Sequence, residues 1–216
     1  MKIFCVDRPV GQWPVKVSGI LAGTGFGDPD CLKVRLVADS AVNRNDRPVF
    51  VPDFAAGTGW VVEIMPAIQI GRLGKFISPR FARRYISGVM LAAFLHPADE
   101  HEVNILEAVF DGALTAGVLF QDVVEEFAED GLKIEACSRR LRSLGEADAG
   151  AECLEADLSW GELHAEDTVA LLSRFCTLKS GDLILPASSG VAFPVATDVS
   201  LSARLNGRDA LKLRLK

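Results

Sequence analysis

No stretch of this 216-residue sequence approaches the roughly 20 consecutive apolar residues of a membrane-spanning helix. A transmembrane role is therefore not expected. The apolar start, residues 1–6, meets Asp7 and Arg8 at once and is too short for the core of a secretory leader. Basic residues are in the minority: 23 Lys and Arg stand against 29 Asp and Glu, for a net charge of −6. That balance works against non-specific binding of nucleic acid or of an anionic membrane, which both lean on Lys and Arg. The five cysteines contain no Cys-x-x-Cys pair, whereas structural zinc shows close-spaced ligand pairs. Cys5, Cys31, Cys137, Cys153 and Cys176 are accordingly expected to be reduced, mostly buried thiols of a cytoplasmic protein.

Two catalytic signatures are missing as well. Ser188-Ser189-Gly190 lies in no Gly-x-Ser-x-Gly elbow and has no base at a recognisable spacing. Gly23-Thr24-Gly25-Phe26-Gly27 lacks the Lys-Ser/Thr of a phosphate loop. Trp13, Trp60 and Trp160 have no interleaved basic residues, so they are expected to pack rather than to stack on bases.

What is present is an ordinary globular composition, 49% hydrophobic and 24% charged, on a chain long enough to bury a core as one domain. Short apolar runs separated by turn residues predict strands over residues 2–6, 32–37, 48–51, 88–95, 113–118, 132–139, 182–185, 199–205 and 210–216, those at 32–37 and 48–51 being joined through the polar turn Asn43-Arg44-Asn45-Asp46. Residues 9–30, rich in Gly and Pro, read as an irregular arm. Residues 60–70 form a long strand in which Pro66 removes a ladder donor, which predicts a bulge or an edge there. Ser78-Pro79 has the signature of a helix start, and residues 166–176 place acids in the first turn of a second helix. The small, acidic stretch 147–158 reads as a loop or irregular hairpin. The class is α+β and strand-dominated, with two or three short helices; without βαβ alternation a doubly wound fold is not expected.

Several segments, taken in order, resemble the fumarylacetoacetate hydrolase superfamily, in particular its short single-domain bacterial members. They are the opening strand Met1-Lys2-Ile3-Phe4-Cys5-Val6, Arg47-Pro48-Val49-Phe50-Val51-Pro52-Asp53-Phe54, Ile70-Gly71-Arg72-Leu73-Gly74-Lys75, and Phe81 to Gly88. Phe110-Asp111-Gly112 and Thr177-Leu178-Lys179-Ser180-Gly181-Asp182 continue the series. The resemblance implies a mixed β-sandwich or β-roll over residues 1–216. Residues 1–50 would form the N-terminal strand and arm, and residues 51–216 a catalytic-type β core. It also implies a homodimer.

In that superfamily Mg²⁺ or Mn²⁺ polarises a β-dicarbonyl, held by a Glu-x-Glu pair on one strand and an Asp on the next. The spacing is physical: residues i and i+2 of a strand face one side. Carried onto this sequence by the flanking motifs, the first Glu is Glu63, the second position is Met65 and the Asp position is Phe94. A lysine position near the substrate falls at Ala108, and the substrate loop falls at Ser188, Ser189 and Gly190. A thioether is a soft donor and a phenyl ring offers no lone pair, whereas Mg²⁺ takes hard oxygen ligands. No metal or other cofactor is therefore expected.

The resemblance with its missing ligands implies a pseudoenzyme: a non-catalytic scaffold or a binder of small oxo-acids. The alternative is a divergent hydrolase or lyase, of the acylpyruvate hydrolase or oxaloacetate decarboxylase class, with a rearranged site built from Glu63, His96 and Asp99. The stretch His96 to Glu102 is the densest cluster of possible ligands, but Pro97 prevents one helix from presenting both histidines, and a solvated loop is expected. His164, just before a helix, is expected at the surface.

Overall fold

The computed structural model describes residues 1–7, 33–53, 59–98, 109–141, 150–186 and 190–216; the arm at 9–30 lies outside them. The first half of the chain runs β1 (Ile3–Asp7), β2 (Lys33–Val37), β3 (Val42–Arg44), β4 (Pro48–Val49), β5 (Trp60–Ile70), α1 (Pro79–Ala82), β6 (Ile86–Pro97), β7 (Leu114–Ala116) and β8 (Phe120–Gln121). The second half runs α2 (Val124–Asp130), β9 (Leu132–Arg140), β10 (Glu152–Leu158), α3 (Trp160–Leu163), α4 (Ala165–Phe175), β11 (Leu183–Leu185), β12 (Val191–Val195), β13 (Val199–Leu205) and β14 (Arg208–Leu215). This is the strand-dominated α+β class expected from the sequence. No helix among the described residues is long and apolar enough to cross a membrane.

The strands form two mixed sheets. One has the order β2-β1-β11-β5-β6-β7-β3, with β12 also pairing with β5 and β8 with β6; the other has the order β10-β9-β13-β14-β4. Strands β5 and β6 pair antiparallel from Trp60 opposite Pro97 to Ile70 opposite Ile86. Their alternate residues serve two apolar clusters, which explains why both read as nearly unbroken apolar runs. Val62, Ile64, Ile68, Ile70, Val89, Leu91, Ala93 and Leu95 face the main core between the sheets. The opposite side of this strand pair contributes Ala67, Met90, Ala92 and Phe94 to a second cluster with Ile3, Cys5, Val37, Leu183 and Leu185. Phe127 and Phe193, both fully buried, each contribute about 2–3 kcal/mol of burial to the main core.

Among the described residues Pro66 falls in a gap on the outer side of β5, between Trp60–Ile64, which pair with β12, and Ile68 and Gln69, which pair with β11. The expected edge is there; the register shift lies elsewhere, between Gln69 and Ile70. Pro79 opens α1 as predicted, after Ser78 in extended conformation. Arg83 then ties this corner to the helices: its Nε donates to Glu166 Oε1 at 2.8 Å, and the Trp160 indole N–H donates to the same oxygen at 2.8 Å. Trp60 and Trp160 are buried packing residues, each 5% exposed.

Three expectations change. Residues 147–158 do not end as a loop, since β10 pairs with β9 in seven consecutive registers, from Glu152 opposite Ser138 to Leu158 opposite Leu132. The strands at 32–37 and 48–51 are not neighbours; β2 belongs to the first sheet and β4 to the second. The cysteines are not all reduced: Cys137 and Cys153 form a disulfide, in which Cys5 and Cys176 take no part. The physical reason is register. The two residues stand directly opposite each other with a Cα–Cα separation of 4.1 Å, the close approach of a non-hydrogen-bonded cross-strand pair. β10 is an edge strand among the described residues, with Glu152, Cys153, Glu155 and Asp157 exposed.

Candidate functional site

The strand pair β5–β6 brings the three inherited positions together. Glu63 stands directly opposite Phe94, and Met65 opposite Ala92. Two residues along one strand, Glu63 and Met65 share a face, and it is the face of the second apolar cluster. Phe94 is 3% exposed and belongs to that cluster, and Met65 packs against it. On its other side Glu63 pairs with the exposed Ala192 of β12. The carboxylate thus sits half-buried at the rim, with apolar side chains on the cluster side. Among the described residues no three His, Cys, Asp or Glu side chains converge as a metal-holding group.

His96 lies two residues beyond Phe94, on the same face, and its ring stacks on the Phe94 ring with centroids 5.7 Å apart. His96 Nδ1 lies 2.8 Å from the Pro97 carbonyl oxygen. A carbonyl only accepts, so this contact is a hydrogen bond when Nδ1 carries the proton. In the neutral ring Nε2 is then the acceptor nitrogen.

The residue that sequence reasoning missed is Arg35. Its guanidinium carbon lies 5.5 Å from the centre of the Phe94 ring. β2 pairs with β1 so that Arg35 faces Cys5 and Val37 faces Ile3, and all three of these neighbours belong to the second cluster. Arg35 is therefore a charged residue on the inward side of β2, while Leu36 and Val34 on the outward side are 59% and 42% exposed. This inversion of the usual apolar-in, polar-out pattern is the one signal that could have found it. A five-residue strand carries it too weakly without the β1 register.

Gly190, immediately before β12, adjoins the same strand. A Cβ there would come within 2.2 Å of the Ile64 carbonyl oxygen and 3.3 Å of Met65 Cα. Gly190 is thus pressed against the backbone that carries Glu63 and Met65. Asp99, Ala108, Ser188 and Ser189 lie outside the described residues. His164 is half-buried in a left-handed turn at the start of α4, its Nδ1 3.7 Å from Asp167, away from this face.

No sequence-family model and no curated protein matches the chain. Solved structures do. The chain superposes on fumarylpyruvate hydrolase from Pseudomonas aeruginosa, a structure holding Mn²⁺ and pyruvate, with a TM-score of 0.71 and 18% identity, over 100% of this chain and 89% of that one. The fold is that of the fumarylacetoacetate hydrolase superfamily. Other solved structures of this fold agree. The chain matches 2-hydroxyhepta-2,4-diene-1,7-dioate isomerase from Mycobacterium marinum at TM-score 0.70 and 20% identity, over 99% of this chain and 73% of that one. It matches 5-carboxymethyl-2-hydroxymuconate delta-isomerase from Mycobacterium smegmatis at 0.69 and 17%, over 99% and 78%. Identity this low fixes the fold and leaves activity to be argued from the site.

Proposed function

We propose that the chain is a non-catalytic protein of the fumarylacetoacetate hydrolase fold: a cytoplasmic homodimeric scaffold that binds a small oxo-acid and works without a divalent metal. One observation carries this reading. In the β5–β6 register Glu63 faces Phe94, and Met65 follows on the same side, so the strand pair offers one carboxylate, one thioether and one phenyl ring. That donor set does not fit Mg²⁺ or Mn²⁺, which take several hard oxygen ligands. Without such an ion a developing enolate lacks the Lewis acid that would stabilise it by several kcal/mol.

The oxo-acid part of the proposal rests on Arg35 and on the pyruvate held by the Pseudomonas aeruginosa enzyme. A guanidinium is a planar donor fork suited to a carboxylate. Arg35 supplies a cation beside the Phe94 ring.

The test combines binding with turnover. Purified protein is assayed with oxaloacetate and an acylpyruvate, with and without Mg²⁺ and Mn²⁺, and its unfolding temperature is followed against the same ions and oxo-acids. The expected result is no metal-dependent turnover and a rise in unfolding temperature with the oxo-acid alone, since a ligand selective for the native state stabilises it. Turnover that requires the metal overturns the proposal.

A second reading, a divergent hydrolase or lyase, is favoured by His96, which shares the strand-pair face that carries Glu63 and whose Nε2 accepts when Nδ1 donates to the Pro97 carbonyl. It requires metal-independent turnover that His96→Gln and Glu63→Gln each abolish.

A further inference from the structure

The outer face of the second sheet carries a feature outside the oxo-acid site. We propose that the Cys137–Cys153 disulfide is a thiol–disulfide exchange site that reacts with an anionic, carboxylate-bearing low-molecular-weight thiol.

Three observations support it. The first is position: the ladder aligns Cys153, Cys137, Ser202 and Lys212 in one row across β10, β9, β13 and β14. That row lies on the side of the sheet opposite the core, where Leu132, Ile134, Ala136 and Leu201 point inward. The second is access. The row forms part of an open cleft of about 560 Å³, with Arg139, Ala151, Ser200 and Arg204 also on its wall. Cys153 is exposed and Cys137 half-buried, so an incoming thiolate meets the Cys153 sulfur first.

The third is charge. Glu135 and Glu155, one step along the row, are both engaged by Lys133, whose Nζ lies 3.3 Å and 3.5 Å from them. Arg204 and Lys212 are likewise occupied by Asp209, at 3.1 Å and 3.9 Å. Arg139 is two residues from Cys137 on the same face, opposite Ser200. No carboxylate of the described residues lies within 4.0 Å of it. Its guanidinium is thus placed to attract the anionic thiol and to favour a departing Cys137 thiolate, since cations nearby stabilise thiolates.

The chemistry balances with the small thiol as reductant. A thiolate attacks Cys153 Sγ; a bond forms between the two sulfurs, the Cys137–Cys153 bond breaks, and its electron pair leaves on Cys137, which takes a proton from water. A second thiolate then attacks the small-molecule sulfur of the mixed disulfide and releases Cys153 as a thiolate. Two thiols are oxidised to one small-molecule disulfide, and the protein disulfide is reduced to two thiols. Oxidised small-molecule disulfide drives the sequence backwards. Exposed disulfides of this kind exchange readily, whereas structural ones resist the glutathione pool.

Glutathione is the probe. Native protein is incubated with reduced or oxidised glutathione, quenched with acid, denatured, alkylated and weighed by mass spectrometry. Of the five cysteines, three are expected to be alkylated after oxidised glutathione, the remainder being the Cys137–Cys153 pair. All five are expected after reduced glutathione. Cys137→Ser should trap glutathione on Cys153, and Arg139→Glu should slow reduction by glutathione about tenfold while leaving neutral 2-mercaptoethanol nearly unaffected. Five alkylated cysteines under oxidised glutathione would mean that the bond does not form. Three persisting in native protein under reduced glutathione would mean that it is inert; either result overturns the proposal. Equal slowing of both thiols by Arg139→Glu would remove the preference for an anionic partner. The wild-type measurements need no variant to fold.

Discussion

Asp182 Oδ1 accepts the backbone N–H of Lys2 at 2.7 Å, joining positions 180 residues apart. Its other oxygen accepts the Lys179 N–H at 2.9 Å and lies 3.1 Å from the Lys2 ammonium. This carboxylate is 1% exposed and holds the first strand to the start of β11, which β1 then pairs in parallel. Burial pushes its pKa up, but the Lys2 and Lys179 N–H groups and the Lys2 ammonium outweigh that, and the pKa lies below its ordinary 3.8.

The expected consequence is a loss of about 2–3 kcal/mol in Asp182→Ala, where buried backbone donors lose a charged acceptor. Because the folded pKa is lowered, this contribution is fully present above the unfolded value near 3.8 and disappears as pH falls through the folded one. Urea unfolding of wild type and Asp182→Asn from neutral pH to pH 2 checks it. The gap between the two should close only on the acid side.

Arg35 is expected to carry the oxo-acid response. Arg35→Ala should abolish the oxaloacetate-induced rise in unfolding temperature, and Arg35→Lys should restore only part of it, because a point charge does not replace the bidentate fork. An unchanged rise in Arg35→Ala would place the ligand elsewhere.

The double variant Met65→Glu, Phe94→Asp is expected to gain Mg²⁺ affinity beside Glu63, measured as Mg²⁺-dependent heat in calorimetry. It should also lose stability by about 3–5 kcal/mol, chiefly from emptying the Phe94 position in the second cluster. Met65→Glu alone supplies a milder companion. No Mg²⁺ binding by a folded double variant would show that these positions do not converge.

Gly190→Ala should cost about 1–3 kcal/mol, the range for forced backbone shifts. The atom 2.2 Å from its new methyl is the Ile64 carbonyl oxygen, which cannot rotate away. The urea midpoint reports the loss, and the Arg35-dependent oxo-acid response reports whether β5 has moved.

How much of this was legible in the sequence follows from what each segment buries. β5 and β6 announced themselves because both of their faces are covered, leaving long apolar runs. β10 did not. Among the described residues it pairs on one side only, its acids are exposed, and its inward residues Leu154 and Ala156 are only partly buried, so its composition is that of a loop. α2 escaped notice because no side chain caps its start at Val123. β12 was hidden by Pro194, tolerated because among the described residues it pairs on one side, with β5. At the site, resemblance supplied the positions of Glu63, Met65 and Phe94, whereas Arg35 and the Cys137–Cys153 bond depend on registers between strands that no local pattern encodes.

The acids of β10 bear on how copies of this chain can meet. Antiparallel addition of a second β10 to the edge left open among the described residues, centred on Ala156, would set Glu155 of each copy against Asp157 of the other. Like charges directly opposed on a sheet repel, and charged edge strands discourage runaway pairing. Edge-to-edge extension of the sheet in that register is thereby disfavoured.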